Sequence, residues 1–323
     1  MAVQAIMERF LLLWLVLLAV VAYFWPVWLP GVWDPFLGTA PGLNYLFAVT
    51  MLAIGSLLPR DEIRQVARRW PTVLGGTAVQ YLSMPALAYC LARLLGLEGA
   101  ALVGVLIAGC VPGAMASNVL TLVARGNVSY SVSLTTSATL LSPLVAPFAL
   151  WIMLRQWIDF PVLKVSWQLC WMVVLPVVAG HLLARAFDGT GGLPTRDAGS
   201  GFRHRAGAII ANLTILWIIA VVVAKNRDNL SQVEARLLLA LVALNLFGYL
   251  TGMFGSLLLR LRPPMRRALT LEVGMQNAGL GTVLAMDIFG KDPAVAIAPA
   301  IYTFGCMLTG TILARLWAQF GSG

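Results

Sequence analysis

One carboxylate in this chain differs from the others in its position. Glu272 is the only acidic residue that cannot be placed near the end of an apolar segment, and no Lys or Arg lies at comparable depth. The stretch around it, TLEVGMQNAGLG at 270–281, adds an amide pair, Gln276 and Asn277, and three glycines. A carboxylate in the middle of a membrane costs on the order of 2.5–3.5 kcal/mol, so either a proton or a bound cation is expected to neutralise it.

The polar side chains of the neighbouring apolar segments offer hydroxyl and amide oxygens as ligands. Such hard donors suit Na⁺ by the logic that suits Ca²⁺ and Mg²⁺. The two histidines, His181 and His204, are not placed to join them, and the four cysteines lack CxxC spacing, so a transition-metal site is not expected. The oxygen donors are Gln80, Ser117, Asn118, Ser131, Ser133, Thr135, Thr136, Ser137 and Gln276.

The composition predicts a membrane protein. The chain is 60% hydrophobic and 11% charged, whereas soluble domains average about 45–50% apolar and about 25% charged residues. The net charge of +9 is spread over short loops between apolar segments, without a basic run that carries exposed aromatics. We therefore expect a lipid bilayer, and no nucleic acid, as the partner of this surface.

Ten apolar stretches are long enough to span a bilayer as helices, which need about 20 residues each. They lack the period-2 alternation of a β-barrel. The longest polar linker, 187–205, is rich in glycine and is expected to be mobile. The stretches are 10–30, 41–58, 71–95, 99–123, 127–154, 164–186, 206–224, 233–259, 267–289 and 293–317.

The loop charges predict the orientation. Ten spans place both termini on one side, and the loops of the opposite side then carry only a minority of the basic residues. By the positive-inside rule, both termini face the cytoplasm of a multi-pass protein in the inner (plasma) membrane. Seven of the 22 Lys and Arg residues lie on that opposite side: Arg93, Arg155, Lys164, Lys225, Arg227, Arg236 and Lys291.

The fourth and ninth segments repeat a pattern. GAMASNVLTLVA at 113–124 and GMQNAGLGTVLA at 274–285 both place Gly and Met before an Asn-containing cluster. Since each is the fourth of five spans, the halves are predicted to be inverted repeats, and paired Gly/Pro-interrupted segments point to a transporter's binding site. Pro112 and the glycines favour breaks near 112–117 and 273–278, where the discontinuous helices of the fourth and ninth segments are expected to cross.

Three stretches together resemble the bile acid:sodium symporter family. They are AVQYLSMPALAYCLARLLGL at 78–97, CVPGAMASNVLTLVARGNVSYSVSLTT at 110–136 and ALTLEVGMQNAGLG at 268–281. The resemblance implies an all-α polytopic membrane protein with ten helices in two inverted five-helix repeats, forming one transporter unit over 1–323. A core of about 71–154 and 233–317 would move against a panel of about 10–58 and 164–224.

The resemblance also implies two Na⁺ as coupling ions, bound at sites that share Glu272. The first site carries over onto Ser117, Asn118, Ser131, Thr135 and Glu272. The second carries over onto Gln80, Glu272, the carbonyls of Val273 and Met275, and Gln276.

The expected substrate is a small organic anion. It would bind beside Met115, Asn277 and the N–H groups that follow each break, with soft apolar contacts from Met115, Cys306 and Met307. Bacterial relatives commonly carry a hydroxyl residue at the position of Met115, so this pocket departs from the family pattern. Sodium-coupled symport of an amphipathic carboxylate, such as a bile-acid-like anion, is the resulting prediction.

Two alternatives stay open. One is a proton-coupled organic-acid transporter that uses Glu272, and the other is a ligand-binding membrane sensor on the same fold. No nucleophile–base set, HExxH or GxSxG motif is present, so we do not expect an enzyme. No obligatory protein partner is evident from the sequence.

Overall fold

The computed structural model describes residues 11–58, 68–155, 159–188, 198–230, 233–290 and 292–320. Within these ranges the chain is helical and forms no β-strand. Short 3₁₀ turns occur at Ala40–Gly42 and Pro293–Ala296, and a π-helical turn at Cys170–Val174. The α-helices are α1 Leu11–Trp28, α2 Pro35–Thr39, α3 Leu43–Leu57, α4 Trp70–Leu94, α5 Gly99–Cys110, α6 Ala116–Val123, α7 Val128–Leu154, α8 Val162–Leu169, α9 Leu175–Asp188, α10 Ala198–Lys225, α11 Arg227–Leu230, α12 Ala235–Leu258, α13 Pro263–Gly274, α14 Ala278–Ile288 and α15 Ile297–Phe320.

Five helical stretches in the described ranges are long and apolar enough to cross a membrane. They make the chain a multi-pass membrane protein. Helix α4 has 25 residues but is not among them, because Gln80 and several Thr, Ser and Gly residues lower its hydropathy. The five stretches are Pro35–Leu57, Val128–Leu154, Val162–Ala186, Ala235–Leu258 and Pro293–Gln319.

The chain divides into two compact units, of which the first comprises Met1–Asp61 and Trp167–Arg227. Its helices α3 and α9 pack through small residues. A Cβ on Gly55 would lie 2.1 Å from the Val177 carbonyl oxygen, and a Cβ on Gly180 would lie 2.1 Å from the Leu52 oxygen. Glycine at these positions allows the two backbones to touch, as is common between membrane helices.

A proline in α1 of this unit leaves a carbonyl that an arginine satisfies. Pro26 lies inside α1 and has no N–H to donate to the Ala22 carbonyl, four residues before it. The Arg227 guanidinium donates from Nε to this oxygen at 2.9 Å and from Nη2 to Asp34 Oδ2 at 2.6 Å. The arginine thereby ties α1 to the loop that precedes α2.

The second unit comprises Glu62–Ser166 and Asp228–Gly323. Helix α12 packs very closely on α13, where a Cβ on Gly252 would lie 2.8 Å from the Thr270 Cα. Two of its predicted membrane segments are interrupted. Helix α5 ends at Cys110 and α6 begins at Ala116, while α13 ends at Gly274 and α14 begins at Ala278. The breaks predicted near 112–117 and 273–278 are therefore confirmed.

The prediction of a polar linker over 187–205 is wrong for the second half of that range. Helix α10 begins at Ala198, so the helix includes 198–205, and the structure does not describe 189–197. A helix satisfies its backbone hydrogen bonds internally, so the polar stretch before an apolar span can continue the same helix. Segment nine also begins earlier than predicted, because α13 starts at Pro263.

Candidate functional site

The two interruptions of the second unit lie against each other in an antiparallel arrangement. The Ala114 N–H donates to the Met275 carbonyl at 2.7 Å, and the Asn277 N–H donates to the Pro112 carbonyl at 2.7 Å. Non-helical backbone is tolerated at membrane depth only where protein or a watery cavity encloses it. The pairing meets part of this requirement, because each break supplies a hydrogen-bond partner to the other.

Glu272 lies in the last turn of α13 beside this crossing, and its side chain is completely buried. The Ser117 hydroxyl donates to Oε2 at 2.5 Å. The Thr135 Oγ1 lies 2.8 and 2.9 Å from the two carboxylate oxygens, and it is 3.3 Å from Asn118 Oδ1. Elements that are distant in sequence thus bring two of the predicted ligands, Ser117 and Thr135, to one carboxylate, and Thr135 in turn lies beside a third, Asn118.

The carboxylate has hydroxyl neighbours but no basic partner among the described ion pairs, which join Arg227 to Asp34 and Arg236 to Glu234. An unpaired charge in such a site is strongly unfavourable. A monovalent cation among these oxygens would neutralise the charge. A proton would do so too, since Thr135 also lies 3.1 Å from the Ser131 carbonyl and can donate there while it accepts from a protonated Glu272.

Ser131 is completely buried and lies one helical turn before Thr135 on α7. Its hydroxyl accepts a hydrogen bond from Thr121 Oγ1 at 3.2 Å. Thr121 lies one turn after Ser117 on α6. Helices α6 and α7 therefore each carry two hydroxyls one turn apart: Thr121 contacts Ser131, and Ser117 and Thr135 both contact Glu272. Thr121 could not be recognised from the sequence, because a threonine in an apolar segment is not unusual there.

Three of the residues predicted for the second ion, Gln80, Gln276 and Val273, are linked by hydrogen bonds. Gln80 Nε2 of α4 donates to Gln276 Oε1 at 3.2 Å, and Gln276 Nε2 donates to the Val273 carbonyl at 2.8 Å. Both glutamine side chains are 1% exposed. The Met275 carbonyl accepts from Ala114 at the crossing. Two glutamine side chains and two backbone carbonyls therefore lie at the α13 break.

The four predicted substrate residues occupy different environments. Met115 and Asn277 are half-buried and cap the N-termini of α6 and α14, where the Asn277 Oδ1 accepts from the Leu280 N–H at 3.1 Å. Met307 of α15 is also half-buried, whereas Cys306 is only 2% exposed. Of the four, Met115 and Asn277 stand beside the crossing of the breaks.

A buried polar cluster behind the α13 break was not found from the sequence. The Gly274 carbonyl accepts from Asn245 Nδ2 and from the Tyr302 hydroxyl, both at 2.8 Å. Thr309 Oγ1 donates to Asn245 Oδ1 at 2.6 Å and lies 3.1 Å from the Tyr249 hydroxyl. Asn245, an amide in the middle of the eighth apolar segment, was the signal that could have revealed the cluster.

Comparisons of the sequence with known proteins match it to a transporter family. The family model described as "Sodium Bile acid symporter family" matches residues 45–233. The "Uncharacterized sodium-dependent transporter YocS" of Bacillus subtilis (strain 168) is 31% identical over 310 residues, which cover 95% of this chain and 90% of that protein.

More distant relatives come from plants and animals. The "Probable sodium/metabolite cotransporter BASS1, chloroplastic" of Arabidopsis thaliana is 30% identical over 271 residues, 84% of this chain and 65% of that protein. The "Sodium/bile acid cotransporter 4" of Mus musculus is 27% identical over 305 residues, 91% and 67% of the respective chains. All three names describe sodium-dependent transporters or cotransporters.

Proposed function

This chain belongs to the sodium bile acid symporter family, whose members are transporters and not enzymes, and we propose that it couples Na⁺ entry to the uptake of an organic anion. The observation that carries the proposal is the buried Glu272 carboxylate, which contacts the Ser117 and Thr135 hydroxyls beside the crossing of two broken helices. Na⁺ is the hard monovalent cation that such donors suit.

We assign two Na⁺ to this cluster. The ions sit on either side of Glu272, which is a ligand of both. The first ion is bound by Ser117, Asn118, Ser131, Thr135 and Glu272. The second is bound by Gln80, Glu272, Gln276 and the carbonyls of Val273 and Met275.

The charge of the loaded site favours an anionic substrate. Two Na⁺ beside one carboxylate leave an excess positive charge in a partly desolvated site, where attraction is much stronger than in water. The N-termini of helices α6 and α14 add the positive ends of their helix dipoles. Asn277 supplies polar contacts and Met115 and Met307 supply soft apolar ones, with Cys306 behind them, which suits an amphipathic carboxylate.

Transport requires the site to face each side of the membrane in turn. We propose ten spanning helices in two inverted repeats, with a panel of about 10–58 and 164–224 and a core of about 71–154 and 233–317 that carries both ions. Movement of the core against the panel would give alternating access. The loop charges favour an orientation with both termini in the cytoplasm, in the plasma membrane.

The first test needs no knowledge of the substrate. Purified protein is heated in NaCl and in KCl of equal ionic strength, and the unfolding midpoint is expected to rise with NaCl only. In proteoliposomes, an inward Na⁺ gradient should then drive uptake of labelled taurocholate or of a carboxylate that competes with it. Equal midpoints in the two salts would exclude sodium coupling, and binding without uptake would identify a sensor instead.

A proton-coupled transporter is the second candidate. It is favoured by the position of Thr135, whose hydroxyl can donate to the Ser131 carbonyl and accept from a protonated Glu272. In that case a pH gradient would drive uptake in sodium-free vesicles. Uptake that needs Na⁺ at every pH would reject it.

A further inference from the structure

The break after α13 frees three consecutive carbonyls, those of Val273, Gly274 and Met275. In a continuous helix each would accept from the N–H four residues later. Here the Asn277 N–H donates across the crossing, the Ala278 N–H donates to a carbonyl two residues back, and α14 begins a new set of bonds. Each of the three carbonyls therefore needs a different partner.

Gly274 is the one whose carbonyl is fully occupied. It accepts from Asn245 Nδ2 and from the Tyr302 hydroxyl, each at 2.8 Å, and a carbonyl oxygen has two lone pairs. Asn245 is 2% exposed and Tyr302 is 1% exposed. Asn245 is itself oriented by the Thr309 hydroxyl, 2.6 Å from its Oδ1.

The neighbouring backbone has little freedom to turn. A Cβ on Gly274 would lie 2.1 Å from the Tyr249 ring, and a Cβ on Gly248 would lie 3.0 Å from the Gly274 Cα. Helix α12 therefore presses directly against the break. The peptide of Gly274 is held by close packing on one side and by two hydrogen bonds at its oxygen.

The two flanking carbonyls, those of Val273 and Met275, each accept one of the described hydrogen bonds, whereas the Gly274 carbonyl accepts two. The Val273 carbonyl accepts from the Gln276 side chain at 2.8 Å, and the Met275 carbonyl accepts from the Ala114 N–H at 2.7 Å. Each of these accepts one of the described hydrogen bonds, so a lone pair stays available for a cation. Gln276 is moreover a proposed ion ligand, so its side chain can release the hydrogen bond to the Val273 carbonyl when the ion binds.

We propose that Asn245 and Tyr302 are positioning residues for the second Na⁺. Met275 has extended backbone angles, φ −111° and ψ 93°, and successive carbonyls in extended chain point to opposite sides. By fixing the Gly274 carbonyl away from the ion, the pair aims the Met275 carbonyl, which follows it across the extended residue, at the ion and excludes Gly274 as a ligand. This inference rests on the proposed sodium coupling.

The test uses two variants that delete one donor each, Tyr302→Phe and Asn245→Leu. The full-length protein is titrated with NaCl and with LiCl, and the midpoint of thermal unfolding is followed. We expect the half-saturating Na⁺ concentration to rise roughly 3- to 10-fold, the equivalent of one lost hydrogen bond. The preference for Na⁺ over Li⁺ should also shrink, because loosened carbonyls no longer fit one ion size.

The control variant is Thr303→Val. Thr303 lies next to Tyr302 on α15, and its buried hydroxyl donates to the Pro299 carbonyl of its own helix. It should keep the wild-type titration. If both donor variants lower the salt-free midpoint but keep wild-type Na⁺ and Li⁺ titrations, the two residues are merely structural and the inference is overturned. A wild-type protein that Na⁺ does not stabilise would instead refute the proposed function itself.

Discussion

The Glu272 carboxylate occupies the space that a side chain at position 113 would fill. A Cβ added to Gly113 would lie 2.1 Å from Oε1 and 2.6 Å from the carboxyl carbon of Glu272. The two residues come from opposite halves of the sequence, so this contact exists only because the two breaks cross. Glycine at 113 is therefore required by the carboxylate as well as by the break.

Gly113→Ala should displace Glu272 from its hydroxyl partners. Overpacking of this kind costs about 1–3 kcal/mol of folding free energy. We expect a lower unfolding midpoint and roughly tenfold weaker Na⁺ stabilisation, because the shared ligand moves. Thermal unfolding in a series of NaCl concentrations measures both effects.

Gly305→Ala is the matched control. Gly305 lies inside α15, and an added Cβ would meet nothing within 4 Å. Alanine is also the better helix former, so this variant should be as stable as the wild type and bind Na⁺ equally well. Equal behaviour of the two alanine variants would mean that the carboxylate tolerates displacement.

Glu272→Gln tests the shared ligand. The substitution keeps the size of the side chain but removes the charge. Loss of one partner from a buried charge pair costs about 3–5 kcal/mol, so Na⁺ binding should weaken roughly 100-fold or more. The salt-free midpoint should stay equal or rise, because a neutral amide is less costly to bury than a carboxylate.

Uptake in proteoliposomes provides the second readout for this variant. Na⁺-driven transport should be lost, while Glu234→Gln, a change at an exposed carboxylate paired with Arg236, should transport normally. Near-normal sodium-driven uptake by Glu272→Gln would show that the ions bind elsewhere.

The breaks and the carboxylate site were predictable because their signals are local. Pro112 lacks a backbone donor, and Glu272 is an acid in an apolar stretch, so each is unusual without any knowledge of the fold. The resemblance then connected Ser117 and Thr135 to this acid, and the structure places both hydroxyls against its oxygens.

The supporting residues were not predictable in the same way. Tyr302 and Asn245 bind a carbonyl that becomes free only after the helix has broken, so their partner does not exist in the sequence pattern. Thr121 has the same difficulty, since most membrane threonines bond to their own helix. Helix α4 illustrates a related limit, because Gln80, a proposed ion ligand, also reduces the hydropathy of this helix as a membrane span.

Thr121→Val should weaken the first Na⁺ site without touching its ligands. The substitution removes the donor that orients the Ser131 hydroxyl, so Ser131 gains rotational freedom and must be ordered when the ion binds. The loss of one such hydrogen bond corresponds to about 1 kcal/mol, or roughly fivefold in the half-saturating Na⁺ concentration. Na⁺ titration of the unfolding midpoint measures it.

Thr77→Val is the control for this substitution. Thr77 is equally buried in α4, and its hydroxyl bonds to the Val73 carbonyl of the same helix at 3.0 Å. Its loss should not alter the Na⁺ titration. Identical titrations of both valine variants would leave Thr121 without a role in ion binding.

Arg227→Met should destabilise the first unit while leaving the ion site intact. The variant leaves the Ala22 carbonyl without the donor that Pro26 cannot supply, and it leaves the mostly buried Asp34 without its cation. Removing these partners should cost about 2 kcal/mol. The salt-free unfolding midpoint should therefore fall, and the rise caused by saturating NaCl should equal that of the wild type.

Arg236→Met separates this effect from the mere loss of a positive charge. Arg236 pairs with Glu234, but both side chains are largely exposed, at 59% and 60%, and exposed pairs contribute little to stability. We expect its midpoint to match the wild type, measured in the same detergent and at the same pH. A wild-type midpoint for Arg227→Met as well would show that neither the proline-freed carbonyl nor Asp34 depends on the arginine.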